Sequence, residues 1–166
     1  MKKTTNMRAG FTMIELIFVI VIIGILAAIA MNKLSATRDD AKISQIVANT
    51  KTFVNDAKAY YTAQGTNNWT TKNVADVTDV PLYYNDCTTS AQDKKVDQNS
   101  TGSNKYFYLC ANGKKVVKIA TEDENLTVSF DGESNGTTVG NAIKDNATFK
   151  AIEKTTRLGG IGVNRD

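Results

Sequence analysis

A single carboxylate, Glu15, stands inside an apolar run that reaches from Gly10 to Met31, G-FTMIELIFVIVIIGILAAIAM. A carboxylate placed in hydrocarbon costs at least a few kcal/mol and normally has a partner. No Lys or Arg occurs between Gly10 and Lys33. The alternative to a partner is snorkelling to the headgroups, which requires no particular position along the helix. Two cysteines, Cys87 and Cys110, lie well beyond the apolar run. In an oxidising compartment they have one pairing, and closing that loop contributes ~3 kcal/mol by the chain-entropy argument.

Other chemistry is bounded by what is missing. There is no His, which removes Ser-His and Cys-His catalysis, His-ligated metals and the usual general base. No P-loop, G-x-S-x-G, C-x-x-C or metalloprotease motif occurs. No enzyme activity is expected. Glu122, Asp123, Glu124, Asp131 and Glu133 form an acidic cluster that raises Ca²⁺ as the alternative to no cofactor. The EF-hand spacing is absent, and a solvated acidic turn is the simpler reading. N-x-S/T sequons occur at Asn68, Asn99, Asn125, Asn135 and Asn146. Those at Asn99, Asn125 and Asn135 also carry an acid two residues earlier. With 17 acids in 166 residues, chance expects fewer than one such sequon in five. That pattern is similar to the extended acceptor of bacterial oligosaccharyltransferases, so these three asparagines are N-glycosylation candidates.

Four segments must position these residues. Residues 1–10 form a basic leader. Lys2, Lys3 and Arg8 account for the whole formal charge of +3, since 17 bases and 17 acids follow Gly10. The pI near 8.8 thus describes a membrane-orienting leader. By charge a nucleic-acid partner is not expected. Residues 11–31 are 21 in number, enough to cross ~30 Å of hydrocarbon as a helix, with the leader on the cytoplasmic side. Residues 32–64 lack Pro and Gly. They carry Ala36, Ile43, Ile46, Val47, Thr50, Phe53, Val54, Ala57, Tyr60 and Tyr61 at helical spacing, with Gly65 as a stop. A helix from Phe11 to Gln64 runs about 80 Å and cannot be buried in a domain this small.

Residues 65–166 hold a polar connection from Thr66 to Ser103, with Trp69, Pro81 and Cys87, and then strand signals. Lys105–Ala111 and Lys114–Thr121 flank the hairpin turn Asn112-Gly113, and Leu126–Phe130 follows. The expected fold is α+β, an antiparallel meander packed on the amphipathic half of the helix. In the tail, Asn146–Thr156 reads as a short helix and Leu158–Val163 as a final edge strand.

The apolar run admits three readings. It can be a plain anchor, or a signal peptide cut near Ala28-Ile29-Ala30, although it exceeds the usual ~7–15-residue core of a signal peptide. The third rests on Arg8-Ala9-Gly10 followed by Phe11-Thr12-Met13-Ile14-Glu15-Leu16. This opening closely resembles the prepilins of the type IV pilin and type II secretion pseudopilin family, over about the first 55 residues.

The resemblance implies a pilin fold and a structural role. A prepilin peptidase would cut between Gly10 and Phe11 and methylate the new Phe11 amine. Glu15 would meet the amine of an adjacent subunit, and Gly24 would supply helix flexibility. Asn32 stands where the family often has Pro, which favours a pseudopilin or minor subunit over a major pilin. The implied partners are other copies or related pilins, the peptidase, and an inner-membrane platform with its ATPase. The implied location is the bacterial inner membrane before assembly and a periplasmic or surface filament after it. The contrasting reading is a membrane-anchored or secreted adhesin-like binding module.

Overall fold

The computed structural model describes residues 10–97, 105–122 and 124–159, with the backbone alone at Asn32. It falls into two compact units that meet at Arg38/Asp39. The first unit is the opening part of helix α1, which as a whole runs Met13–Trp69. The second unit holds the rest of α1, helix α2 (Val74–Val77), strands β1 (Phe107–Ala111), β2 (Lys114–Glu122) and β3 (Asn125–Phe130), helices α3 (Thr138–Asp145) and α4 (Ala147–Ile152), and strand β4 (Thr155–Arg157).

Inside the second unit, α1 buries Ile46, Val47, Phe53, Val54, Ala57 and Tyr61. This is the face that the three-and-four spacing marks out. Thr50 is also buried, and its hydroxyl donates to the Ile46 carbonyl at 2.7 Å, so no polar atom is stranded there. The helix does not simply stop at Gly65. That residue breaks the helical geometry at φ 71°, and one further turn carries the chain to Trp69. Glycine enters this left-handed region without the Cβ penalty. Trp69 is fully buried and meets Tyr61 edge-on, with ring centroids 5.9 Å apart.

The sheet is antiparallel with the order β1-β2-β3-β4. Asn112 and Gly113 both take positive φ, 54° and 73°, which is the turn a two-residue hairpin requires. The β1–β2 register shifts between Leu109 and Cys110, leaving Val116 as the extra residue of a bulge. Its carbonyl accepts the Asp131 N–H at 2.8 Å, which continues the β2–β3 register by one step past Val117–Phe130. The bulge also explains why Val116 and Val117 are both buried in a strand that otherwise alternates.

The polar connection is tied down more closely than its composition suggests. Val74 N–H donates to the Lys94 carbonyl at 2.7 Å, Val96 N–H to that of Lys72 at 2.8 Å, and Ala91 N–H to that of Leu82 at 2.9 Å. These bonds deliver Val74, Val80, Leu82, Ala91 and Val96 to the core.

The tail differs from the sequence reading in two places. An additional helix, α3, precedes α4, capped by the Thr137 hydroxyl. The fourth strand is Thr155–Arg157, pairing with β3. The edge strand expected at 158–163 begins at the buried Leu158, whose N–H donates to the Glu124 carbonyl, and lies outside the described residues from 160 onward.

Candidate functional site at the head of the first helix

Gly10 and Phe11 precede α1 in non-helical backbone, and both are exposed. A Cβ added at Gly10 would meet nothing within 4 Å, so the subunit itself has no steric need for glycine there. Thr12 comes next and caps the helix. Its hydroxyl lies 3.3 Å from the Glu15 N–H, while the Glu15 carboxylate accepts the Thr12 N–H at 2.8 Å and the Thr12 hydroxyl at 2.7 Å.

This reciprocal arrangement is a capping box, and it satisfies donors that a helix start leaves open. The negative charge also sits well in a first helical turn. Thr12 therefore joins Glu15 as a site residue. The readable signal for it is T-x-x-E at the edge of an apolar run.

Behind the cap, every large apolar side chain from Phe11 to Leu34 is more than half exposed, from 51% at Val19 to 92% at Phe11. The apolar surface encircles the helix, as in segments that lie in lipid or against other helices. The helix is long and apolar enough to cross a membrane. Gly24 lies within this stretch in regular helical geometry, and Gly65 is the non-helical residue of α1.

The other sequence candidates are dispersed over the second unit. Cys87 and Cys110 form a disulfide with Cα atoms 5.8 Å apart, joining the polar connection to β1. The acidic residues are individually engaged. Glu122 pairs with Lys105, Glu124 with Arg157 at 2.7 Å, and Glu133 with Lys115 at 2.9 Å. Asp131 accepts the Glu133 N–H at 3.0 Å. The Arg157 guanidinium, with the Tyr61 hydroxyl behind it, holds the Glu124 carboxyl below its ordinary range. Asp123 lies outside the described residues. Among the described residues, no three acidic, Cys or His side chains converge as a metal site would need. Of the acid-bearing sequons, Asn125 opens β3, Asn135 follows a short 3-10 turn at Gly132–Ser134, and Asn99 lies outside the described residues.

The model of the prokaryotic N-terminal methylation motif matches residues 5–31, a span that takes in Gly10, Phe11, the Thr12–Glu15 cap and the apolar stretch. Curated proteins and solved structures give no match to the chain. The chain thus carries a prokaryotic N-terminal methylation motif at the head of a long helix followed by a four-stranded antiparallel sheet, an α+β arrangement consistent with a pilin fold.

Proposed function

We propose that the chain is a filament subunit of a type IV pilus or a type II secretion pseudopilus. It is stored in the inner membrane with its N-terminus cytoplasmic, then cut between Gly10 and Phe11 by a prepilin peptidase. Methylation of the Phe11 amine follows. The subunit then polymerises through its N-terminal helix, and the globular unit forms the outer shell of a periplasmic or surface filament. Its role is structural. The work of assembly comes from a cytoplasmic ATPase acting through an inner-membrane platform.

The observation that carries this reading is a register. The Gly10–Phe11 boundary falls just before a capped helix whose apolar side chains are exposed on every side. Cleavage there removes the three leader bases and leaves 17 bases and 17 acids in the rest of the chain. It also creates an α-amine one helical turn from Glu15. On an adjacent subunit that amine is the cation which makes an acid in an apolar environment tolerable, and it sets the axial stagger. Gly24 is where the helix would yield if packing in the filament demands it.

N-terminal mass spectrometry of the membrane form tests the reading. N-methyl-Phe11 is the expected start. An intact Met1 would instead indicate a plain anchor, and a start at Met31 a secreted module. Glu15→Ala should keep the N-methyl-Phe11 terminus and lose filaments; normal filaments from that variant would sink the charge pairing. Long surface fibres made mostly of this chain identify a pilus, and short periplasmic filaments a pseudopilus.

A further inference from the structure

The sequons are a motif that filament assembly does not use, and the fold separates them. Asn68 and Asn146 lack the acid two residues before them, and their side chains are committed. Asn68 Nδ2 donates to the Gln64 carbonyl at 3.2 Å, and Asn146 Oδ1 accepts the Phe149 N–H at 3.0 Å. Asn125 has the acid but lies in the sheet, opposite Glu122 of β2 on one side and Arg157 of β4 on the other. The hydroxyl of its sequon, on Thr127, is 2.9 Å from that of Thr155. An enzyme could read this sequon only by unzipping β3.

Asn135 is placed differently. It is exposed at the end of the 3-10 turn, and the exposed Gly136 beside it takes φ 84°. The backbone therefore already bends at the acceptor, in irregular structure outside the sheet. Several local contacts must open for the sequon to be read, among them the Gly136 N–H donated to Asn141 Oδ1 at 3.0 Å. Another is the Glu133–Lys115 ion pair, in which Glu133 is exposed and the half-buried Lys115 keeps its bond to Asn85 when Glu133 leaves. A third is the Thr137 hydroxyl, which accepts the Gly140 N–H at 3.0 Å and donates to the Ser134 carbonyl at 2.7 Å. That cap belongs to a helix end, where structure frays first.

We propose that Asn135 is an N-glycosylation acceptor for an oligosaccharyltransferase that requires an acid two residues before the asparagine. In the cell this rests on the reading that places the globular unit outside the cytoplasm. The donor is an oligosaccharide carried on a polyprenyl diphosphate. Asn135 Nδ2 bonds to the anomeric carbon of the first sugar. The bond from that carbon to the diphosphate oxygen breaks, and its electron pair leaves with the polyprenyl diphosphate. The proton lost from Nδ2 passes to a base of the enzyme. Glu133 serves as the recognised acid and Thr137 as the recognised hydroxyl.

The test uses the oxidised full-length chain folded in detergent, a purified acid-requiring bacterial oligosaccharyltransferase and its lipid-linked oligosaccharide. Peptide mass spectrometry then reads occupancy at each asparagine. Asn135 should be filled severalfold more than Asn125. Its glycan should vanish in Asn135→Gln, fall severalfold in Glu133→Gln and return in Glu133→Asp. Occupancy at Asn135 equal to or below that at Asn125, including none at either, overturns the proposal. Unchanged transfer to Glu133→Gln overturns it too. The assay needs no cell, so an error in the location reading would appear in fractionation and leave this result standing.

Discussion

Glu15 can satisfy its carboxylate in two ways, and they are separable by mutation. In the single subunit it closes the capping box with Thr12. In the proposed filament it faces the Phe11 amine of a neighbour. Thr12→Ala removes the cap, worth about 0.5–2 kcal/mol at a helix start, and leaves the carboxylate free for the amine. Thr12→Ala should therefore still assemble, while Glu15→Ala should not. Electron microscopy of both strains, with N-methyl-Phe11 confirmed in each, checks this, and an equal loss of filaments would make the cap the essential feature.

A second carboxylate, Asp86, organises the turn beside Cys87. It accepts from the Thr89 hydroxyl and from the N–H groups of Thr89 at 2.9 Å and Thr88 at 3.1 Å. These bonds, the Thr89 hydroxyl first, hold its carboxyl well below the ordinary carboxylate range. A depressed folded pKa stabilises the fold above the unfolded pKa of about 3.9 and loses that contribution as pH falls toward the folded value. The Tm advantage of the native chain over Asp86→Asn should shrink as pH drops below about 4. A gap that stays constant down to acid pH would remove the assigned cause.

At the scale of elements, the legible parts were those whose signals are local and periodic. The helical face from Ile46 to Tyr61, the Asn112-Gly113 turn and the first three strands can all be read from neighbouring residues. What escaped depends on distant partners. Nothing near Val74 announces that its N–H will reach the Lys94 carbonyl, and nothing near Val96 announces Lys72. The bulge at Val116 is a feature of how β1 pairs with β2, and no residue type in either strand marks it. At the candidate site the motif residues, Thr12 among them, were legible, and what was obscured was the capping role of Thr12, because a threonine beside an apolar run looks like part of the run.

Gly65 illustrates an intermediate case, since its stop was readable but the extra turn to the Tyr61–Trp69 contact was not. Space is open around it, so Gly65→Ala would lose stability through backbone strain alone at φ 71° and ψ 177°, about 1–3 kcal/mol. Thermal melts in detergent check the loss, and an unchanged Tm would mean the left-handed conformation is not needed. The disulfide acts on a different element. Changing both Cys87 and Cys110 to Ser should cost ~3 kcal/mol by releasing the polar connection from β1, measured by denaturant titration of the full chain. An unaltered midpoint would show that the backbone bonds of Val74, Ala91 and Val96 suffice.

For the whole molecule, the decisive contrast is between two kinds of apolar surface. The second unit keeps its large hydrophobics inside a core of its own, with Phe53, Trp69, Leu82, Phe107, Ile119 and Phe149 among those fully buried. Among the described residues, the exposed large hydrophobics all fall between Phe11 and Leu34, inside the first unit. Solubility should therefore divide at the same place as the structure. A chain of residues 39–166, exported to an oxidising compartment, should be a soluble monomer with no free thiol, because its disulfide and core lie wholly within it. The uncut chain should need detergent or lipid, since a continuous apolar surface of that size does not stay solvated. Light scattering after size-exclusion chromatography, with a thiol titration, reads both properties. A 39–166 chain that aggregates or self-associates would mean that the globular unit carries an assembly surface of its own. Filament assembly would then not be driven by the N-terminal helix alone.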